Sequence, residues 1–338
     1  MTERTLLRAP DAVVDPASGL PRYGSYVGTV PRVDLARVAG GRLQRIAREK
    51  RWVYVAVASP DVFAAFAIAR FGYAATCFGY VLDAKPMRMI ATASVLAPPT
   101  ACEVSDRTSD GAIAAFRSGK TRATVARAAG SSSFAVDVAL KDIELHATLD
   151  TTAAPPAVTA IASVGAPRDA LVNTTEKRAL LAVKGEVSVA GKRRSLDGAL
   201  AGYDYTHGLL ARRTSWRWAF ALGRATTGER VALNLVQGFV GEPECAAWVE
   251  GEVFPLREGR FAFNRDEPLD EWRVSTADGA VDLRFKPGGM HAERKNLGVV
   301  ASKFVQPAGA YTGTLRAGGR TLKLEGVLGV TEDQEVLW

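Results

Sequence analysis

The run Trp272-Arg-Val-Ser-Thr276, the dipeptide Asp278-Gly279 and the run Val281-Asp-Leu-Arg-Phe285 alternate large apolar with polar residues on both sides of a turn. Only a strand sends successive side chains to opposite faces, so each arm commits one face to a core and the other to solvent. Asp-Gly suits the positive backbone angles of a tight type I′ turn, and the whole predicts an antiparallel hairpin. The segment from Tyr311 to Leu315, Gly318-Gly319, and Thr321 to Glu325 repeats the device. So do Leu180 to Val189 with Gly191-Lys192 and Arg194 to Leu200, and Trp216 to Leu222 with Thr226-Thr227-Gly228 and Arg230 to Val236. Short strands with turn signals every ten or so residues mean a sandwich or barrel rather than βαβ units.

The first half is less regular. Residues 1–31 read as an irregular lead-in, and residues 32–50 carry apolar side chains at roughly helical spacing, interrupted by Gly40-Gly41. Trp52 to Val57 is strand-like, and Val62 to Phe71 fits a strand or, through its alanines, a helix. Tyr73 to Leu82, Met87 to Val95, Thr121 to Ala128, Phe134 to Leu140 and Glu144 to Thr148 are further strand candidates. Asn173-Thr174-Thr175 marks the expected divide, giving an N-terminal β-domain over 1–175 and a C-terminal β-barrel domain over 176–338. With 338 residues, 47% of them apolar, the chain has core enough for two such units.

Several function classes are excluded by what is missing. Three cysteines and three histidines, all widely spaced, predict neither a disulfide framework nor a metal site. No Walker loop, Rossmann fingerprint or Gly-x-Ser-x-Gly elbow occurs, so no cofactor is expected. The most apolar stretch, Trp52 to Leu82, is broken by Asp61 and Arg70, so no transmembrane helix is expected. The N-terminus lacks the apolar core of a secretory signal, which points to a cytoplasmic, bacterial-type protein with reduced thiols. The formal charge is +7, with much of the excess in Arg37, Arg42, Arg45, Arg48, Lys50 and Arg51. That run reads as a solvated face or as a contact for an anionic surface; no nucleic-acid-binding motif accompanies it.

Chemistry concentrates in Gly202-Tyr203-Asp204-Tyr205-Thr206-His207-Gly208, followed by Arg212-Arg213 and Trp216-Arg217-Trp218. In a strand Asp204 shares a face with Thr206, while Tyr203, Tyr205 and His207 share the other. A carboxyl group against aromatic walls holds its proton toward neutral pH and serves as a general acid, and aromatic faces stabilise a developing carbocation. The plainer reading is that Tyr, His and Trp pack a core and Asp204 caps a turn. Asn234, between Leu233 and Leu235, points inward either to a ligand or to backbone groups. Cys245 has no adjacent base, and His291 beside Gly288-Gly289 reads as a surface loop residue.

In order, Trp52-Val-Tyr54, Phe71-Gly-Tyr73, Asn173 to Lys177, Asp204-Tyr-Thr-His-Gly208, Trp216-Arg-Trp-Ala219, Asn234-Leu235 and the closing Gly329-Val-Thr-Glu332 to Trp338 resemble a bacterial family, domain of unknown function 2804. More distantly, Ala201 to His207 followed by Trp216-Arg-Trp218 and Gly228 is similar to a segment of the carotenoid 1,2-hydratase and AttH-like proteins, which are built from two lipocalin-like domains. The likeness implies that Asp204 stands at those hydratases' proton donor to an alkene. Gly202, Thr206 and His207 depart from that group's Trp, Glu and Trp. What the resemblance and the residues imply together is an all-β fold of two tandem lipocalin-like (calycin-like) antiparallel β-barrels or sandwiches with a short N-terminal helical lead-in. The expected partner is a hydrophobic small molecule such as a lipid, isoprenoid or polyketide. The expected chemistry is that of a cofactor-independent hydratase, cyclase or isomerase, with Asp204 as donor, His207 and Tyr205 orienting it, and Tyr203, Arg212, Trp216, Trp218 and Asn234 on the ligand. The alternatives are a non-catalytic carrier using the same pocket and an anionic-surface binder acting through residues 37–51.

Overall fold

A computed structural model describes residues 5–38, 40–164, 171–296, 298 and 300–338. Two sheets, each curled into a half-barrel and antiparallel but for the short pair Leu7–Arg8 on Gly24–Val27, make up nearly all of it. The first sheet runs, edge to edge, through Arg88–Ala97, Ala75–Asp83, Val62–Phe71, Glu49–Ala58, Leu200–Leu209, Val172–Val189, Ile143–Asp150, Ser133–Leu140, Thr121–Ala126, Ile113–Ser118 and Cys102–Val104. The second runs through Glu252–Pro255, Ala246–Val249, Arg230–Gly238, Arg213–Arg224, Arg320–Leu337, Ala301–Ala317, Val281–Asn296, Trp272–Thr276 and Gly259–Ala262.

Burial explains which strands read clearly in the sequence. Ser133–Leu140 and Ile143–Asp150 alternate buried and exposed residues, one face on the core and one in solvent. Val62–Phe71 is a strand with its first eight residues buried, because the sheet packs on both of its faces there. That double coverage erased the alternation and left the helical alternative open. Three of the second-half hairpins form as expected, with Trp272 opposite Phe285, Ala317 opposite Arg320 and Arg224 opposite Arg230; the fourth is shorter, Lys192–Ser195 on Glu186–Val189 with its turn at Ala190-Gly191. Their turns differ. Gly318 and Gly319 both take positive φ (57° and 71°), as a type I′ tip requires. At Asp278-Gly279 only the glycine does so; the turn closes from the Gly279 N–H to the Thr276 carbonyl at 3.0 Å, and Asp278 Oδ1 accepts from the Ala280 N–H and the Thr276 hydroxyl.

Two expectations about layout need correction. The N-terminal helix is confined to Arg42–Arg48, after the glycine pair, and Glu49 already begins a strand. Asn173, Thr174 and Thr175 are not a loop: they are buried within Val172–Val189 and pair with Gly208, His207 and Thr206. A divide at residue 175 therefore falls inside a strand, and the chain passes from the first sheet to the second between Leu209 and Arg213. Polar residues in a fully paired strand carry the same composition as a turn, which is why the run was misleading.

The inner face of the first sheet holds one apolar cluster, including Phe116, Phe134, Tyr203 and Tyr205. A second cluster joins the outer face of that sheet, through Tyr54, Phe63 and Tyr80, to the interior of the second, through Trp218, Phe220, Trp248 and Trp272. Gly202 marks the closest approach: a side-chain carbon there would stand 2.1 Å from the Phe220 ring. The glycine that departs from the hydratase-like pattern thus makes room for a ring of the facing sheet.

Candidate functional site

Between the sheets lies a cavity of about 640 Å³. Its polar centre is built by register. Tyr54, Asp204 and Lys177 are direct partners across three adjacent strands and share one face, with Trp52, Thr206 and Thr175 forming the next row. Lys177 Nζ donates to Asp204 Oδ2 at 2.5 Å and stands 3.2 Å from Glu244 Oε2, which enters from the turn Glu242–Glu244. The Thr175 hydroxyl lies 3.3 Å from Asp204 Oδ1 and 3.0 Å from the Tyr205 carbonyl, and Trp218 faces the Lys177 ammonium at 5.6 Å.

The facing sheet supplies a second carboxyl group. Glu332 lies directly opposite Trp218 in the ladder and is buried. Its Oε1 accepts from Trp216 Nε1 and its Oε2 from Gln306 Nε2, each at 2.5 Å. Gln306 Oε1 in turn accepts from the Tyr80 hydroxyl at 2.7 Å, and Tyr80 meets the Tyr54 hydroxyl at 3.0 Å. Burial pushes the Glu332 carboxyl up to about 7, against the pull of the two N–H donors and with a push from the Asp204 charge. Burial also raises Glu244, though Lys177 opposes it. Burial works against the Lys177 ammonium too, but Asp204 and Glu244 outweigh it and hold its proton. One ammonium stands among three buried carboxyl groups, and Glu332, which has no ion-pair partner among the described residues, has its neutral form favoured by burial.

The wall around this centre is aromatic. Trp52 stacks on Trp216 at 6.3 Å, Phe239 closes on both, and Phe71 packs on Trp338 at 5.2 Å. Trp218 meets Tyr54 edge-on at 5.2 Å and stacks on Phe220.

The expected site residues divide between two faces. Asp204, Trp216 and Trp218 line the cavity. Asn234 is buried behind Trp218, accepting from its Nε1 at 2.7 Å and donating to the Glu244 carbonyl at 2.9 Å, so it positions both walls without reaching the space. Tyr205 and His207 do not orient Asp204: period two sends them to the inner face of the first sheet. There Tyr205 donates to the Ser105 carbonyl, and His207 Nε2 lies 2.9 Å from Glu49 Oε1. Tyr203 is on that face too, stacked on Phe134 and donating to the Thr108 carbonyl. Arg212 donates to the C-terminal Trp338 carbonyl at 2.7 Å and does not line the cavity. His291 is likewise no surface residue; it is buried in a strand, stacked on Phe78 at 4.8 Å and paired with Thr92. Cys245 is buried, its Sγ accepting from the Val236 N–H at 3.3 Å, and Cys77 and Cys102 are buried too.

Sequence reasoning missed Lys177, Glu244, Gln306 and Glu332 as site residues. A signal existed for two of them. Lys177 and Glu332 both fall in the motifs that carry the family resemblance, Asn173 to Lys177 and Gly329 to Trp338.

The model of the family described as Domain of unknown function (DUF2804) matches residues 4–338. No curated protein matches the chain. Among solved structures, an AttH-like protein from Nitrosomonas europaea is 12% identical, with a TM-score of 0.53 over 92% of this chain and 98% of that one. CghA, crystallised with Sch210972, is 13% identical, with a TM-score of 0.56 over 98% and 97%. Kievitone hydratase from Nectria haematococca is 10% identical, with a TM-score of 0.51 over 94% and 98%. At these identities the likeness establishes the shared tandem lipocalin-like fold.

Proposed function

The chain belongs to the DUF2804 family, and on that footing we propose that it binds a hydrophobic small molecule between its sheets and transfers a proton to it. The observation that carries this reading is Glu332, a buried carboxyl group pushed up to about 7 by desolvation, facing an aromatic-walled cavity beside the Lys177–Asp204–Glu244 cluster. In a hydration, the Glu332 O–H bond breaks as a C–H bond forms on an alkene carbon of the ligand. The faces of Trp216 and Trp218 stabilise the resulting cation. Water then adds to the cation and releases a proton to Asp204, whose charge Lys177 balances. Return of that proton to Glu332 leaves alkene plus water converted to alcohol. Loss of a neighbouring proton in place of water addition would make the same step an isomerisation. The donor role expected for Asp204 passes to Glu332 in this reading, and Asp204 becomes the acceptor. The hydratase among the structural relatives supports the reaction class, and the aromatic wall supports the ligand class.

The test begins with native mass spectrometry of protein from its own host, to identify a co-purifying hydrophobic molecule and its precursor. Turnover of that precursor should fall by about 100- to 10,000-fold in Glu332→Gln, the usual worth of a general acid. Quenching of the cavity tryptophans should show unchanged affinity. Turnover should also decline above about pH 7, as Glu332 loses its proton. A Glu332→Gln variant with full activity removes the donor assignment.

One observation favours a carrier as the second reading: Lys177, Asp204, Gln306 and Glu332 are all hydrogen-bonded within the protein. If the co-purified molecule binds reversibly and is never altered, the carrier reading stands.

A further inference from the structure

The proposed function leaves the basic segment 37–51 without a task, and the structure places its helix beside the cavity. The seven residues Arg42–Arg48, RLQRIAR, contain three arginines and no acid. Leu43 and Ile46, three positions apart and so on one face, are 83% and 40% exposed. The helix is seated at the cavity wall by close contact. The Ile46 carbonyl oxygen lies 1.8 Å from where a Gly72 side-chain carbon would stand, so only glycine admits it. Lys50 Nζ donates to the Ala47 carbonyl at 2.7 Å and lies 5.3 Å from the rings of Tyr73 and Trp338, both cavity-lining. Tyr73 and Leu96, also on the cavity lining, are 38% and 52% exposed. Two of the nine large apolar side chains exposed among the described residues thus line the cavity, and two more stand on the helix packed against Gly72 beside it.

Arg45 and Arg48 stand in the last turn of the same short helix, turned away from the Leu43–Ile46 edge. Arg45 is 47% exposed, and the acid nearest it, Glu49 at 3.7 Å, is already held by Arg51 and His207. The helix thus carries positive charge and an apolar edge beside the cavity. That combination matches the interface of a bilayer bearing anionic headgroups, where arginines meet phosphates and Leu43 meets hydrocarbon. A nucleic acid would use the arginines but leave Leu43, Ile46 and Leu96 in water.

We propose that the helix Arg42–Arg48 with Tyr73 and Leu96 docks the cavity mouth on an anionic lipid bilayer, from which the ligand enters. This rests on the reading that the cavity takes a hydrophobic molecule. The full chain is co-sedimented with vesicles of phosphatidylcholine and with vesicles of equal parts phosphatidylcholine and phosphatidylglycerol. Binding is expected only to the second, weakening as salt is raised. Arg45→Glu, a change of two charges, should lower that partition about 30-fold, taking ~1 kcal/mol per charge near such a surface. Leu43→Glu should lower it at least as far, while Leu269→Glu, at an exposed leucine on the loop before Trp272, should not. Equal binding to both vesicles, or full binding by Leu43→Glu, overturns the proposal. So does a single-stranded oligonucleotide that displaces the vesicles and is held equally well by Leu43→Glu. Tryptophan quenching by anilinonaphthalene sulfonate separates the two layers. A chain that sediments with anionic vesicles but takes up no dye keeps the docking surface and loses the pocket reading; one that takes up dye but ignores vesicles loses the docking surface alone.

Discussion

On one face of the strands Val172–Val189 and Leu200–Leu209, Lys177 holds Asp204 and Glu244 against an open space of about 640 Å³. On the other face, one residue along, Glu176 meets Arg178 at 2.7 Å and His207 meets Glu49, which Arg51 also holds at 2.6 Å. Both faces bury charge, and both use the same two strands. They differ in balance. On the inner face each acid has its own arginine, and burial pushes the His207 imidazole down to about 4, so it is neutral at neutral pH. On the cavity face one ammonium serves Asp204 and Glu244, with Glu332 beyond it pushed up to about 7 by burial. A matched buried pair holds both its charges; an unmatched buried carboxyl has its neutral form favoured by desolvation.

Removing the cation from the cavity face should give the largest effect. Lys177→Met leaves Asp204 and Glu244 buried without a counter-charge and should cost about 3–5 kcal/mol of unfolding free energy in urea titration. The double variant Lys177→Met/Asp204→Asn should recover part of that loss. If Lys177→Met were neutral, the charge imbalance argued for this face would not exist.

The next effect isolates Glu332. Its folded pKa of about 7 exceeds the ordinary 4.5, so between those values the folded state binds more protons than the unfolded one. Stability contributed by the neutral carboxyl is therefore present below pH 4.5 and lost as pH rises through 7. Glu332→Gln lacks that loss. Relative to the parent, it should gain about 3 kcal/mol on going from pH 4.5 to pH 8, read from unfolding curves at each pH. A pH-independent difference would mean that Glu332 is ionised throughout.

The smallest effect tests the inner face. His207→Gln removes one hydrogen bond to a carboxylate that keeps its arginine, and should cost about 1 kcal/mol. Ligand affinity, followed by tryptophan quenching, should not move. A collapse of affinity or turnover would restore His207 to the site and end the distinction between the faces.

Much of this was readable from residues. Period two in Trp272–Phe285 and Tyr311–Glu325 implied antiparallel hairpins, and the same rule applied to Tyr203–His207 already put Asp204 and His207 on opposite faces. Grouping His207 and Tyr205 with Asp204 as one catalytic set ignored that consequence. Where both faces are covered, as in Val62–Phe71 and Asn173–Lys177, the period disappears and the strand resembles a helix or a loop.

Alternation, turn residues and the order of short motifs are properties of neighbours in the chain, so the sequence by itself determined the β class, most strands and the face that Asp204 occupies. The partners of that face come from far away: Glu332 follows Asp204 by more than a hundred residues, and Gln306 and Tyr80 reach each other from different sheets. Which buried charges share a cavity depends on how two curled sheets pack, and desolvation, which sets the Glu332 proton, exists only after they have done so. Tertiary structure alone decided that Asp204 and Glu332 face one cavity.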